Sequence, residues 1–379
     1  MSINLHLYPS SIQYESRMLK VTKSLADSGA FTEIHLVGIH EAGVAEREEI
    51  DSIRSIWRVP LSASLPIPRM RGILKFSQWA AKIIGCYRNR DISVVHCNSL
   101  GDLPIGVLLK MGRRGVKLVY DANELETERN GLTGINKKLD KIKERVLIRY
   151  VDHTLVVCDS IATWYRENYK VRPVTVVRNM PFNDRSNPPE AVPSVFRDRF
   201  NIENGIVFLY QGALMRGRGI ELLLNTFSKL NGNKHIVFMG YGSYEQQIKE
   251  FAAKHENIHF HEAVTPDEVM RYTVGADVGI SLFENTCLSY YYSLPNKLYE
   301  YMVAGLPVIV SQFPEMSRLI GEFENGWATL VREDSLMSLI EKIDSVSVEA
   351  KKRNAIKARE MIGWDLEEKK LLGAYEGLF

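Results

Sequence analysis

Short runs of Val, Ile, Leu and aromatic residues recur along this chain in two sets, and this recurrence limits the fold more than any other feature. INLHLY, EIHLVGI, SIWRVP, ISVVHC, VKLVYD, HTLVVC and VTVVRN make the first set. IVFLYQG, HIVFMGYG, NIHFHEA, DVGISLF and PVIVSQ make the second. Segments with apolar residues at helical spacing, such as 14–28 and 104–113, lie between several of them. A strand, a helix and a second strand in succession return the chain in the same direction. The strands therefore pair in parallel and helices cover both faces of the sheet.

The sets are separated by NDRSNPPEAVPSVFRDRFNIEN, rich in Pro, Asn and Ser, which reads as a linker over 183–203. A chain of 379 residues also exceeds one ordinary hydrophobic core. The expectation is an α/β protein of two tandem Rossmann-like domains, 1–182 and 204–360, followed by a closing segment, 361–379. Open α/β sheets bind ligands outside the carboxyl ends of their strands, so an interdomain cleft is expected to hold the substrate.

Composition narrows the function. A net charge of +2 gives no general attraction to nucleic acid. Cys86, Cys97, Cys158 and Cys287 are widely spaced, with no CxxC pair, which disfavours a zinc site and suits reduced thiols in the cytoplasm. The first residues, MSINLHLYPSS, do not read as a signal peptide. No apolar run approaches the ~20 residues that span a bilayer. The cations are nevertheless uneven. Residues 69–90 hold six Lys or Arg and no acid, and 137–149 hold six against two acids. In 69–90, Ile73, Phe76, Ala80 and Ile83, with Ile84 or Tyr87, make an apolar stripe among the cations. This fits a helix lying on an anionic membrane surface, and equally a helix packed on the sheet with solvated cations.

Three turns of the second set carry chemistry. In YQGALMRGRGIELLLNTF a strand ends near Gly212, a Gly-rich turn carries Arg216 and Arg218, and a helix begins near Gly219. Backbone N–H groups and a helix start favour an anion there, and Arg adds a planar donor suited to phosphate. GYGSYEQQ places Gly240 and Gly242 directly after the next strand. In SLPNKLYEYMVAGLPVIVS, Leu294, Leu298, Tyr301 and Met302 form the apolar stripe of a helix starting among Ser293, Pro295 and Asn296. Lys297 and Glu300 fall off that stripe. A cation near a helix start is unfavourable unless an anion offsets it. A carboxylate one turn deeper suits a vicinal diol, and phosphate with a diol describes a nucleotide. The other reading of the pair is a solvated i, i+3 contact.

These stretches, with ENIHFHEAVTPDEVMRYTVGADVGISL, resemble the C-terminal domain of GT-B-fold glycosyltransferases of the retaining, Leloir-type family 4, common in bacterial cell-surface polysaccharide assembly. VVHCNSLGDLP and KLVYDANELETE are similar to its N-terminal half, and GWDLEEKKLLGAYEGLF to its last helix, which crosses back to the N-domain. The resemblance implies that Glu300 grips the nucleotide ribose and that Arg218 neutralises the donor diphosphate. Arg216 and Lys297 would assist, beside Gly212, Gly219, Gly240, Gly242 and Leu298. Glu262, Ala263 and Val264 would contact the base. Tyr292, Ser293, Leu294 and Pro295 would flank the donor sugar. Tyr292 stands where many relatives carry a second Glu, and Asn123 where many carry a His.

The resemblance makes 1–182 the acceptor side, with His96, Asn98, Asp102, Asp121 and Asn123 as candidates. Asp121 or Glu124 would serve as base if the reaction inverted. Fixed positive charge at the leaving diphosphate meets the main need of glycosyl transfer, so no metal or cofactor is expected. The expected partners are a nucleotide sugar and an oligosaccharide or lipid-linked acceptor, with 69–90 on an anionic membrane. The expected place is the cytoplasm or the inner face of its membrane; the oligomeric state is left open. A GT-B-fold sugar-nucleotide epimerase and a non-catalytic nucleotide-binding relative are the competing readings.

Overall fold

Every apolar run quoted above forms a strand in the computed structural model, which describes residues 2–13, 15–62, 68–186, 195–230, 232–266 and 268–379. The chain divides into two units, Met1–Arg178 with Glu367–Phe379, and Asn179–Leu366.

The first unit holds β1 (Ile3–Leu7), β2 (Glu33–Ile39), β3 (Arg47–Glu49), β4 (Arg54–Val59), β5 (Ile92–Cys97), β6 (Lys117–Ala122), β7 (His153–Val156) and β8 (Val174–Val176). Their order is β3-β4-β2-β1-β5-β6-β7-β8. All neighbours are parallel except β3, which runs antiparallel on β4 at the edge. The second unit holds β9 (Ile206–Ala213), β10 (Lys234–Tyr241), β11 (Ile258–Glu262), β12 (Val278–Ser281), β13 (Val308–Ser311) and β14 (Gly326–Thr329). They form one parallel sheet in the order β11-β10-β9-β12-β13-β14. Helices on both faces leave these strands no solvent side, hence their continuous apolar runs. The core of this unit is built on Phe208, Phe238, Leu223, Phe227 and Ile309, all fully buried.

Both sheets reverse their winding at one place, between β1 and β5 in the first and between β9 and β12 in the second. Open sheets of this kind bind ligands at the carboxyl ends beside that reversal. In the second unit the helix Asn296–Val303 is set against it by Tyr301. The Tyr301 hydroxyl donates to the Leu209 carbonyl (3.0 Å) and accepts from the Gln211 N–H (3.0 Å). The ring packs against β12, where Gly279 leaves room for it. A Cβ at Gly279 would overlap the ring.

One expectation is corrected here, and one open alternative is narrowed. The segment 183–203 is not a plain linker. Val195–Phe200 is a helix with Phe196 buried, and Arg197 pairs with Asp277 at 2.7 Å. Asn183 donates to the carbonyls of Arg359 and Ile362 (2.7 and 2.9 Å), while 187–194 lies outside the described residues. The apolar stripe of 69–90 is partly internal. The helix Pro68–Tyr87 buries Trp79, Ile83 and Tyr87 and leaves Ile73 in solvent. The side chains of Arg69 and Arg71 lie outside the described residues. The last helix, Trp364–Glu376, gives the first unit its residues from Glu367 onward.

Candidate functional site

At the reversal in the second unit β9 ends as Gln211, Gly212 and Ala213, with Gly240 beside Gly212 in the ladder. Gly212 has φ +118°, a left-handed value that favours glycine. It also leaves room for Lys297, whose Cε would lie 3.1 Å from a Cβ there. The Lys297 side chain therefore crosses bare backbone at the strand end. It sits near the start of Asn296–Val303, whose N-cap is Pro295 without a side-chain cap and whose first turn holds no acid. Leu298 is fully buried, so its side chain belongs to the core.

Glu300 is held in a chain of polar contacts. Its Oε2 accepts from Gln211 Nε2 at 2.7 Å, and both oxygens lie 3.2 Å from Lys297 Nζ. Gln211 Oε1 accepts in turn from the Thr273 hydroxyl at 2.8 Å. The Gln211 amide is thus fixed at both ends, and Glu300 keeps one direction while still half-exposed. Lys297 and Glu300 are not the loose surface pair that sequence spacing also allowed.

Arg218 is held by aromatic rings. Its guanidinium carbon lies 4.1 Å from the Phe283 ring centre and 5.1 Å from that of Tyr290. These rings meet edge to face at 5.1 Å. Among the described residues Arg218 forms no ion pair, and its Nε is buried without a hydrogen-bond partner. The charge is oriented but not neutralised. Gly219, the N-cap of the helix Ile220–Phe227, donates its N–H to Glu284 at 3.3 Å. Arg216 is exposed, as is Gly242 after β10.

The loop before Lys297 is aromatic. Ser293 donates to the Tyr290 carbonyl at 2.8 Å and does not cap the helix. Tyr292 lies against Tyr291 at 5.4 Å, and Leu294 is buried. Glu262 has its side chain engaged. It closes β11, and its exposed carboxylate accepts from Arg199 at 3.0 and 3.1 Å, with Ala263 and Val264 following directly after the strand.

In the first unit the expected acceptor-side acids are mostly internal. Asp121 takes two bonds from Arg17, both 2.8 Å, and lies 3.5 Å from His96. Burial alone would push its carboxyl up, but Arg17 and His96 outweigh this and hold it below the ordinary range. It is an anchored anion, not a base. Asp102 accepts from the N–H groups of Asn98 and Ser99 (3.2 and 3.1 Å), and burial pushes its carboxyl well up. His96 stacks on His6 at 4.3 Å and meets the Tyr375 hydroxyl at 2.6 Å, and burial lowers its pKa. Asn98 is buried and donates to the Leu7 carbonyl at 2.9 Å. Asn123, just beyond β6, differs. Its Nδ2 donates to the Asn98 carbonyl at 3.2 Å, and its Oδ1 is buried without a partner. Glu124 beside it is half-buried.

A family profile described as Glycosyltransferase Family 4 matches residues 15–180, and one described as Glycosyl transferases group 1 matches 194–360. The chain belongs to the GT-B glycosyltransferases of the family 4 type. It is a nucleotide-sugar-dependent transferase. Sucrose-phosphate synthase from Thermosynechococcus elongatus has a similar structure, with TM-score 0.81 at 15% identity over 100% of this chain and 99% of that one. The Anabaena protein HepE, in complex with UDP-glucose, gives 0.74 at 12% identity over 99% of both chains. WaaG, a glycosyltransferase involved in lipopolysaccharide biosynthesis, gives 0.64 at 13% identity over 98% of both. At these identities the likeness concerns the fold. No curated protein sequence matches the transferase.

Sequence reasoning missed Gln211, Thr273, Phe283 and Tyr290 in this site, and it missed a buried acid cluster in the first unit. Glu126 there is 4% exposed, 3.3 Å from Arg129. Burial, with Glu124 and Glu144 adding repulsion against the attraction of Arg129, pushes it from 4.5 to about 8. A raised carboxyl pKa contributes stability that is complete below the unfolded value and is lost as pH rises through the folded one, at ~1.4 kcal/mol per pH unit. Glu126 therefore contributes a loss of stability as pH rises between about pH 5 and about pH 8. Glu126→Gln should flatten this, its advantage in Tm growing with pH and levelling above about pH 8. A variant whose difference from wild type stays constant across that range would contradict the assignment.

Proposed function

We propose that this transferase moves a glycosyl residue from a uridine diphosphate sugar to a growing, lipid-linked glycan of the cell surface, with retention, at the inner face of the cytoplasmic membrane. The carrying observation is Arg218, an oriented cation without an internal anion, at the same sheet reversal as Lys297 and Glu300. A departing diphosphate supplies the missing anion. The uridine base is supported by HepE, a structural neighbour in complex with UDP and with UDP-glucose.

The hard step separates positive charge at the anomeric carbon from the leaving diphosphate. Arg218 and Lys297 would hold that negative charge in fixed positions, which avoids reorganisation during reaction. Glu300 would accept hydrogen bonds from the ribose diol. In the retaining course the bond from carbon to diphosphate oxygen breaks, and the acceptor oxygen bonds on the same face. The acceptor proton passes to the diphosphate. Asp121 is unsuited to an inverting course because Arg17 occupies both its oxygens. Asn123, with its free Oδ1, is the acceptor-side group best placed to take a sugar hydroxyl.

Thermal shift with UDP, GDP, dTDP, CMP and their sugars tests this. UDP and a UDP-sugar should raise Tm in wild type, by much less at the same concentration in Glu300→Ala, while Arg218→Ala should reduce the shift by free UDP more than that by the UDP-sugar. Shifts of wild-type size in both variants would refute the site.

A further inference from the structure

The helix Gly134–Leu147, GINKKLDKIKERVL, is turned inside out. Ile135, Leu139, Ile142 and Val146 are 64, 52, 60 and 49% exposed. At ~100° per residue they lie within about 60° of one another, and Glu144 lies opposite. Glu144 is the one residue of this helix that is buried, accepting from the Tyr120 and Tyr165 hydroxyls at 2.8 and 2.6 Å. Lys137 and Lys141, also away from the apolar face, bind Glu128. A helix of a water-soluble domain places its apolar stripe inward. This one is anchored by polar contacts and presents the stripe outward.

The stripe has neighbours. The helix Leu103–Met111 touches both Gly134–Leu147 and Pro68–Tyr87, and it exposes Leu108 and Met111. Pro68–Tyr87 exposes Ile73 and Leu74. Among the described residues of the first unit, the exposed large apolar side chains lie on these three helices and at Tyr150 just beyond them, Phe379 excepted. A concentrated apolar patch of this kind marks an interaction surface.

The charges choose the partner. Lys138 and Arg145 border the stripe on one side and Lys143 on the other, with Arg149 beyond. Lys138, Arg145 and Arg149 are exposed. Apolar residues flanked by cations suit an anionic bilayer surface, the side chains entering the acyl boundary and the cations meeting headgroups. Among the described residues no helix is long and apolar enough to cross a membrane.

We infer that the outward face of Gly134–Leu147, continued by Leu108, Met111, Ile73 and Leu74, docks the protein on an anionic bilayer surface. This deepens the membrane part of the function proposed above, placing the main contact on 134–147 and not on 69–90. It does not depend on the nucleotide site. Sedimentation with phosphatidylcholine vesicles, with and without phosphatidylglycerol, tests it. Wild type should bind the anionic vesicles at least tenfold more than the neutral ones and less at high salt. Ile135→Glu/Leu139→Glu and Lys138→Glu/Arg145→Glu should each reduce binding at least tenfold while keeping the UDP thermal shift, which confirms the fold. Equal binding by wild type and both variants overturns the proposal. So does a wild-type dimer in analytical ultracentrifugation that Ile135→Glu/Leu139→Glu separates, since the face would then belong to a second copy. Vesicle binding without any nucleotide response would refute the donor site alone.

Discussion

Arg218→Ala should lower kcat/KM for glycosyl transfer by about 10²–10³-fold, most of it in kcat, the usual cost of removing one fixed donor from a site of developing negative charge. The guanidinium is already positioned before any substrate arrives, against Phe283 at 4.1 Å and Tyr290 at 5.1 Å. No acid among the described residues has to release it. Its contribution therefore goes to the transition state, where charge on the diphosphate is largest, and kcat reads it. Arg218→Lys keeps the charge but loses the planar fork and the stacking, so it should recover only part of the loss. Tyr290→Ala should cost about tenfold through misplacement of Arg218, and Tyr290→Phe should restore it, because the ring and not the hydroxyl faces the cation. Steady-state kinetics with each variant, alongside Tm to confirm folding, makes the check. A kcat/KM for Arg218→Ala within threefold of wild type would remove Arg218 from the chemistry.

The strands were readable because both faces of each sheet are covered, which demands unbroken apolar runs. β3 was not readable. Its sequence, Arg-Glu-Glu, is exposed and polar and is a strand only because β4 offers a free edge. The Gly turns and the Lys297–Glu300 pair were legible because their signals are local. The parts that orient them are not local. Gln211 reaches Glu300 across 89 positions, and Arg17 reaches Asp121 across 104. No spacing rule connects such residues before the sheet register is known. That is why Asp121, a candidate base for an inverting course, could not be seen from its strand-end position to be an anchored anion. The helix Gly134–Leu147 marks another boundary. Periodicity reveals that a helix has an apolar face, but not that the opposite face, through Glu144, is the one turned inward.

Glu300→Ala should weaken nucleotide binding about 10–100-fold, the range expected for hydrogen bonds to a charged group at ~1.5–3 kcal/mol, with a much smaller change in kcat. The ribose diol is the same in the bound donor and in the transition state, so a group that holds it contributes to binding uniformly. Loss of the carboxylate also frees Gln211 Nε2 and Lys297 Nζ, its present partners at 2.7 and 3.2 Å. Direct contact and lost orientation must therefore be separated. A donor lacking the ribose 2′-hydroxyl does this. If Glu300 binds that hydroxyl, the deoxy donor should bind wild type markedly more weakly than the normal donor. In Glu300→Ala the two donors should bind alike, because one contact cannot be lost twice. Glu300→Gln should fall between, since an amide still accepts one hydrogen bond but carries no charge. Titration calorimetry of both donors against all three proteins decides the matter. Equal penalties for the deoxy donor in wild type and in Glu300→Ala would show that the ribose is held elsewhere, and that Glu300 acts through the placement of Lys297.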